Sequence, residues 1–295
     1  MPGLKEVRNR IASVTSTRQI TAAMKLVSAS KLKRAQDHIH RLRPYALKLS
    51  EILGNLSLDR EIFLESPYAT VRSKERILIV AFSANKGLCG AFNSSVVKKV
   101  ISLIQEQYEA QHKAGKVDII GVGRKAATLL AKRGYHVVDV VEKVVDRPTF
   151  ANLLPLAERI LNEFAAGQYD EVAVVFNEFR SAATQYIKNE IFLPLSPERL
   201  MGQNKVSHSV EYIFQPGKEE ILLNVIPTAL KTQFFRYLLD SQASEHGARM
   251  TAMHKATDNA TELLRELRLS YNKARQAAIT KEILEIVAGA EALRG

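Results

Sequence analysis

The residues most suggestive of chemistry form a glycine-rich turn in IIGVGRKAATLLAKRGYHVVDV, residues 119–140. Gly121, Gly123 and Ala126 have the G-x-G-x-x-A spacing of a dinucleotide-binding turn, and Asp139 lies near the position of a ribose-binding acid. The pattern raises the hypothesis of a nicotinamide-dependent oxidoreductase. However, this turn follows the second predicted strand, whereas dinucleotide sites generally use the first βα turn. We therefore favour a tight turn that packs a helix on a sheet.

A second glycine-rich stretch, SANKGLCGAFN, spans residues 83–93 after the first predicted strand. Lys86, Gly87 and Gly90 suggest a phosphate loop, but the G-x-x-x-x-G-K-[ST] pattern is absent from the sequence. Cys89 is the only cysteine, which excludes an internal disulfide and fits a reducing cytoplasm. We interpret the stretch as a structural turn and Cys89 as a small structural residue rather than a nucleophile.

The histidines do not form a metal-binding pattern. His38 and His40 are two residues apart and point to different faces of a helix, while His246 and His254 stand alone. The sequence contains no H-E-x-x-H motif, no Cys/His cluster and no G-x-S-x-G nucleophile elbow. It therefore predicts no metal site, no cofactor and no catalytic residue on this chain.

The positive charge is concentrated at the start of the 295-residue chain, whose net charge is +11. Residues 1–56 contain eleven Lys or Arg against three Asp or Glu, whereas residues 217–295 contain eleven against ten. This asymmetry implies an acidic partner, which is a nucleic acid, an anionic membrane face or an acidic protein loop. The cations of KLVSASKLKRAQDHIHRLR are spread around a helix, so a solvated or protein-docking face is favoured over a nucleic-acid interface.

Residues 1–58 are predicted to form one long helix with a coiled-coil seam, because apolar residues recur every three or four positions. At mid-length the seam register falls on polar or charged residues: Arg18, Thr21, Lys25 and Ser28. The apolar side chains there shift to Ile20, Met24 and Val27. The shift indicates either a contact with another body or a local stutter in the coil. Pro44 predicts a kink rather than a helix end, because the heptads continue past it.

Residues 75–200 alternate short β-rich runs with helical ones, which indicates an α/β domain with a mostly parallel sheet. The predicted strands are 76–82, 117–122, 136–141, 171–176 and 186–195, and the predicted helices lie near 92–113, 124–134 and 149–166. The polar stretch SPERLMGQNKVSHS that follows is predicted to be a loop.

Residues 210–295 are predicted to form a second long helix, starting near 217, with 3-4 apolar spacing from Met250 to Ala278. Both terminal helices exceed ordinary globular lengths, and each must bury its stripe, most simply on the other. The predicted architecture is an antiparallel two-helix coiled coil with an inserted α/β domain. The tip ITKEILEIVAGAEALRG (279–295) would extend past the first helix, and it is apolar nearly all round, so it requires a sleeve from another protein.

Across essentially its whole length the sequence resembles the gamma-subunit family of F-type ATP synthase, the central rotor shaft. The resemblance rests on IASVTSTRQITAAMKLVSASKLKRAQ and RPYA at the start, ANKGLCGAFN in the middle, and SEHGARMTAM, ATDNA and YNKARQAAITKEILEIVAGAEAL at the end. The run Ile279-Thr280-x-Glu282-x-x-Glu285-x-x-x-Gly289-Ala290 is specific to that family. His254 and Lys255 depart from it, since we expect Asp and a small residue there.

The resemblance implies a non-catalytic rotor whose Rossmann-like insert binds no nucleotide. Its tip would turn inside the ring of alternating alpha and beta subunits and couple ion flow through the membrane c-ring to ATP synthesis or hydrolysis. The resemblance also implies partner contacts at particular residues. Met24 and Lys25 would contact an acidic loop of the beta subunit, and Arg249 would contact a second beta-subunit loop. Tyr212 and the α/β domain would contact the epsilon subunit and the c-ring. The implied tip contacts are Gln276, Thr280, Glu282 and Glu285.

The expected location is peripheral, on the cytoplasmic face of a bacterial cell membrane within the ATP synthase complex. No apolar run approaches the ~18 residues that span a bilayer, and the N-terminus lacks the apolar core of a signal peptide. A transit peptide and the cysteine-bearing insert expected of a chloroplast relative are also not found, which favours a bacterium.

Overall fold

The computed structural model describes residues 4–56, 66–195 and 218–292. The helices in these ranges are α1 (Leu4–Leu56), α2 (Phe92–Gln107), α3 (Glu109–Lys113), α4 (Arg124–Ala131), α5 (Lys143–Asp146), α6 (Phe150–Ala165) and α7 (Lys218–Ala292). The strands are β1 (Ile77–Phe82), β2 (Val117–Val122), β3 (Val137–Val141), β4 (Glu171–Phe179) and β5 (Gln185–Leu193). The predicted strands and the mixed α/β class are therefore confirmed, while the polar stretch 196–209 lies outside the described residues.

The sheet has the strand order β3-β2-β1-β4-β5, in which β5 alone runs antiparallel to its neighbour. Every residue of the central strand β1 is buried, because helices cover both faces of the sheet. One face packs against α2 and α4, and the other packs against α6 and the first part of α7. Burial on both faces explains why the strands read as continuous apolar runs rather than alternating ones.

The predicted helix near 92–113 is wrong in one respect, since it is broken at Tyr108 into α2 and α3. Tyr108 has φ −131° and is buried, and its hydroxyl donates a hydrogen bond to the buried carboxylate of Glu171. That carboxylate also pairs with Lys74 Nζ at 2.8 Å. The break directs the tyrosine ring into the core, where its hydroxyl provides a hydrogen-bond donor for the buried carboxylate.

The described residues form two compact units, one made of the residues up to Ser28 together with those from Met250 onward, the other of residues 29–249. In the first unit the two terminal helices pair in antiparallel fashion. Arg8 Nη2 donates to the Tyr271 hydroxyl at 3.0 Å, and Thr257 Oγ1 donates to Thr21 Oγ1 at 2.9 Å. The later residue of α1 in these two pairs contacts the earlier residue of α7, so the helices run in opposite directions. This confirms the predicted antiparallel coiled coil.

In the second unit, α1 runs without interruption past Pro44, so it does not end at Arg43. Leu32, Ala35 and Leu49 of α1 are buried, and further apolar residues of this segment pack against the core formed by β1, β4, α6 and α7. The aromatic rings of α7 lie at the centre of that core. For example, Tyr237 lies 4.4 Å from Phe176, centroid to centroid.

Gly123 precedes α4 with φ +104°, and a Cβ placed there would overlap the carbonyl oxygen of Ser83. Gly134 has φ +85° but open space around its Cβ position, so it is a matched control. We expect Gly134→Ala to lower the free energy of unfolding by ~1–2 kcal/mol through backbone strain alone. Gly123→Ala should lower it by about 3 kcal/mol or more, because strain and overlap combine. Urea unfolding followed by circular dichroism measures both; equal losses would contradict the close contact with Ser83.

Candidate functional site

The glycine-rich turn between β2 and α4 is closed by the protein's own groups. In a dinucleotide-binding turn the first helical N–H groups point at the pyrophosphate. Here the N–H of Arg124 donates to Asn85 Oδ1 at 3.2 Å, that of Lys125 to the Ala84 carbonyl at 3.0 Å, and that of Ala126 to Ser83 Oγ at 3.2 Å. All three donors that would hold a phosphate are therefore already satisfied by the loop after β1.

The acidic residue of the same pattern is also engaged within the chain. Asp139 Oδ2 lies 2.7 Å from Arg159 Nη1, and Asp139 Oδ1 accepts the N–H of Val140. At Gly121 an added Cβ would lie 2.6 Å from the Cβ of Ala127, so this glycine lets α4 approach the sheet. The geometry fits the packing interpretation of the turn and leaves the oxidoreductase hypothesis without a phosphate cradle.

The loop 83–93 is organised by two asparagines that the sequence analysis did not single out. Asn93 Oδ1 accepts the N–H of Ala84 at 3.0 Å, and Asn85 Nδ2 donates to the Glu142 carbonyl at 2.9 Å. Both side chains are buried, and buried amides require such partners. The Asn residues at both ends of this Gly-rich turn could have indicated in the sequence that amide side chains hold the loop.

Cys89 lies inside this loop and is only 1% exposed. Burial raises the pKa of its thiol, and Asn93 Nδ2 donates to Sγ at 3.1 Å. A thiol that is buried and protonated is a poor nucleophile, which agrees with the structural interpretation of this residue.

Arg249, one of the residues implied by the resemblance, fastens α7 to this loop. Its Nη2 donates to the carbonyls of Lys86 and Gly87 at 3.2 and 3.1 Å, and its Nη1 pairs with the Glu245 carboxylate one turn earlier. The Glu245 carboxylate is buried, which raises its pKa, while Arg249 acts in the opposite direction. Arg249 therefore joins a buried charge to two backbone acceptors, and a partner would meet the side chain only at its exposed edge.

The seam of the terminal helix pair keeps its register where the apolar residues shift. Thr21 and Ser28 are buried at 9% and 3% exposure, whereas Ile20 and Val27 remain 59% and 56% exposed. A local stutter would have moved Ile20 and Val27 into the seam, so that interpretation is wrong. Ile20, Met24 and Val27 instead form a second apolar face of α1, with Met24 half-buried.

Lys25 lies beside this second apolar face and reaches across to α7. Lys25 Nζ is 3.4 Å from His254 Nδ1, and His254 Nδ1 is 3.3 Å from Asp258 Oδ2. His254, which departs from the resemblance, is therefore placed between a lysine and a carboxylate on the coil surface. Lys255 is exposed beside it.

The implied tip residues Gln276, Thr280, Glu282 and Glu285 are all exposed near the end of α7. Every described side chain from Ile279 to Glu291 is exposed, including five large apolar ones at 48–72%: Ile279, Ile283, Leu284, Ile286 and Val287. The predicted unpaired tip is thus present. Tyr212, the remaining implied contact, lies outside the described residues.

Neither a metal centre nor a membrane span is found in the described parts of the chain. Those residues contain no group of three His, Cys, Asp or Glu side chains that could hold a metal ion. Likewise, none of the described helices is both long and apolar enough to cross a membrane.

Comparison with known proteins agrees with this architecture. The family described as ATP synthase matches residues 3–293, which defines the class of protein. The ATP synthase gamma chain of Cytophaga hutchinsonii is 51% identical over 293 residues and covers 99% of both chains. The chain therefore belongs to the ATP synthase gamma chain family.

Solved structures share the fold at lower sequence identity. A chain of the Euglena gracilis mitochondrial ATP synthase (OSCP/F1/c-ring, rotational state 3) is 20% identical, with a TM-score of 0.66 over 98% of this chain and 94% of that one. A chain of the Tetrahymena thermophila mitochondrial ATP synthase central stalk and c-ring is 24% identical, with a TM-score of 0.57 over 80% of this chain and 99% of that one. The fold is therefore retained although about four residues in five differ.

Replacing Arg249 should loosen the loop 83–93 and expose its thiol. We expect Arg249→Ala to raise the rate of Cys89 modification by a thiol reagent about tenfold or more, because two charge-assisted hydrogen bonds to the loop are lost. Cys89 is the only cysteine, so the rate reports this loop alone. Arg265→Ala, which removes an exposed arginine of the same helix, is the control. Equal rates in the two variants would show that Arg249 does not hold the loop.

Proposed function

We propose that this chain is the non-catalytic central shaft of a rotary ATP synthase. It couples ion flow through a membrane c-ring to ATP synthesis or hydrolysis at sites on the alpha and beta subunits. The observation that carries the proposal is the exposed apolar tip of α7, in a chain of the ATP synthase gamma chain family. Catalysis would take place on the other subunits, and the internally satisfied N–H groups at the β2–α4 turn support the view that this turn binds no nucleotide.

An apolar tip of this kind suits a bearing. Fully burying a Leu, Ile or Val side chain is worth ~1.5–3 kcal/mol, so five of them attract an apolar sleeve strongly. The hydrophobic effect is not directional, so the apolar side chains of the tip can exchange one apolar partner for another as the helix rotates inside such a sleeve. Hydrogen bonds with fixed partners would have to break at each step. Gln276, Thr280, Glu282 and Glu285 would meet the alpha and beta subunits at defined angles only.

The second apolar face of α1 offers a further contact, and its surroundings are basic. Met24 and Lys25 would meet an acidic loop of the beta subunit there, as part of a helix segment with a strong excess of Lys and Arg. Charge attraction over several ångströms survives small changes of angle, since no single bidentate pair has to break. Arg249 would contact a second beta-subunit loop, and Tyr212 with the α/β domain would contact the epsilon subunit and the c-ring.

The coupling mechanism follows from the asymmetry of the shaft. A ring of three identical catalytic units surrounds a single chain, so each unit meets a different side of it. Each side stabilises some conformations of the unit over others through differential contacts, which shifts the population of its states. Rotation would then carry every catalytic site through the same series of conformations. In this arrangement the chain acts peripherally on the cytoplasmic face of a bacterial cell membrane.

Recovery of the native complex tests the assignment directly. We expect a gentle detergent pull-down of the tagged chain to recover two nucleotide-binding subunits in equal amounts, each in threefold excess over the chain, with ATPase activity. The stoichiometry is read by quantitative mass spectrometry. Recovery of the chain alone, or with nucleic acid, would overturn the proposal and make the basic helix the functional surface.

Introducing charge at the tip tests the bearing itself. In the assembled complex we expect Ile283→Asp with Leu284→Asp to reduce ATP-driven ion pumping at least about tenfold, because each buried carboxylate costs several kcal/mol. Pumping is measured in reconstituted vesicles and compared with ATPase activity, so loss of coupling is separated from loss of assembly.

The matched control is Leu129→Asp, an exposed leucine of α4 in the sheet domain. It carries the same chemical change on a surface that the tip proposal does not use. Full coupling in the tip variant, or equal damage in the control, would contradict the proposed sleeve.

A further inference from the structure

The unit formed by residues 29–249 contains a cavity of about 270 Å³ at the carboxyl edge of its sheet. The loop after β1 supplies Asn85 and Lys86, and the segment after β3 supplies residues 145–149. Helix α1 contributes Lys31, Arg34 and His38, and α7 closes the other side. Ligands of open α/β sheets bind outside the carboxyl ends of the strands. The cavity therefore occupies the usual position for a ligand, although the adjacent glycine-rich turn is closed.

Basic side chains dominate the walls of the cavity. They are Lys31, Arg34, Lys86, Arg147 and Arg249, against the two carboxylates of Asp146 and Glu245. Arg249 and Glu245 neutralise each other in the contact described above. In the described part of the chain, the side chains of Lys31, Arg34, Lys86 and Arg147 have neither an ion pair nor a hydrogen bond. Four cations thus face one space with a single unpaired carboxylate, Asp146, among them.

Two further features make this space attractive to an anion. The cavity is lined by Thr149, the N-cap of the sixteen-residue helix α6, whose N-terminal end carries a partial positive charge. His246, also in the lining, stays neutral because burial, followed by Arg249 and Lys31, lowers its pKa to about 4. The histidine therefore adds no positive charge near neutral pH, and attraction there comes from the lysines, arginines and helix end.

The size of the cavity restricts the anion. Its volume lies just below the ~300–1,000 Å³ typical of pockets for drug-sized ligands, and far above the ~10–15 Å³ that one water needs. This volume matches a small anion better than a dinucleotide. Guanidinium groups match the oxygens of a phosphate by paired hydrogen bonds, and two arginines, Arg34 and Arg147, line this space. We propose that the cavity is a binding site for a small phosphate-bearing anion, held by Lys31, Arg34, Lys86 and Arg147.

Titration calorimetry of the isolated full-length chain with inorganic pyrophosphate tests the site, at ~0.15 M NaCl so that non-specific attraction is screened. We expect saturable binding of one pyrophosphate per chain and no binding of NADH. The double variant Arg34→Ala with Arg147→Ala should raise the dissociation constant at least about tenfold, because charge-assisted hydrogen bonds to phosphate are lost. Both residues are exposed and lack ion pairs, so the variant is expected to fold, which circular dichroism checks.

Lys132→Ala is the matched control, because this exposed lysine of the sheet domain does not line the cavity. Absence of saturable binding, or equal weakening by Lys132→Ala, would overturn the proposal. A glutamate-rich peptide that binds the cavity more tightly than pyrophosphate would also overturn it, since the cations would then serve a protein partner. Because isolated chain is used, these outcomes do not depend on whether the rotor assignment holds.

Discussion

Burial of the apolar stripes on the two terminal helices is the constraint on which the rest of the structure depends. Helices of 53 and 75 residues gain little from intrinsic propensity, and their stability comes from packing. In the unit that contains both chain ends, α1 and α7 bury Val7, Met253 and Leu264 between them. In the other unit, α7 has a second partner, since Phe234 and Tyr237 are core residues beneath the sheet. One helix therefore provides half of a coiled coil and one layer of an α/β domain.

The glycine-rich turn shows how the same local sequence serves packing or ligand binding. Glycines at positions 121 and 123 permit the close approach of helix and sheet in either case. What decides between the two uses is whether the first N–H groups of the helix are left for a ligand. Ser83 and Asn85 occupy them here, so the decisive residues lie about forty positions earlier in the chain. The turn pattern alone does not contain that information, which is why its match to the G-x-G-x-x-A spacing was ambiguous.

Periodicity made most of the fold predictable. The strands follow from β-rich runs such as ILIVAF, and the antiparallel coil follows from heptads at the two ends of the chain. The sequence analysis did not predict the packing of α7 on the sheet, although the five apolar residues of QFFRYLL cover most of the helix circumference and therefore indicated a largely buried helix. The break at Tyr108 could not be predicted, because it depends on the buried carboxylate of Glu171, which is distant in sequence.

The candidate site was less predictable than the fold, because sites depend on which surfaces remain uncovered. The exposed apolar tip could be anticipated from the unequal helix lengths, whereas the cavity is assembled from α1, two loops and α7. These surfaces also differ physically. The tip offers non-directional apolar contact, which tolerates rotation, whereas Arg249 makes directional bonds to Lys86 and Gly87 within the chain. A shaft that transmits torque requires both properties, because it must rotate against its sleeve while its own elements stay fixed to one another. Arg249 makes its directional bonds within one unit, and the large apolar side chains at the tip remain exposed among the described residues.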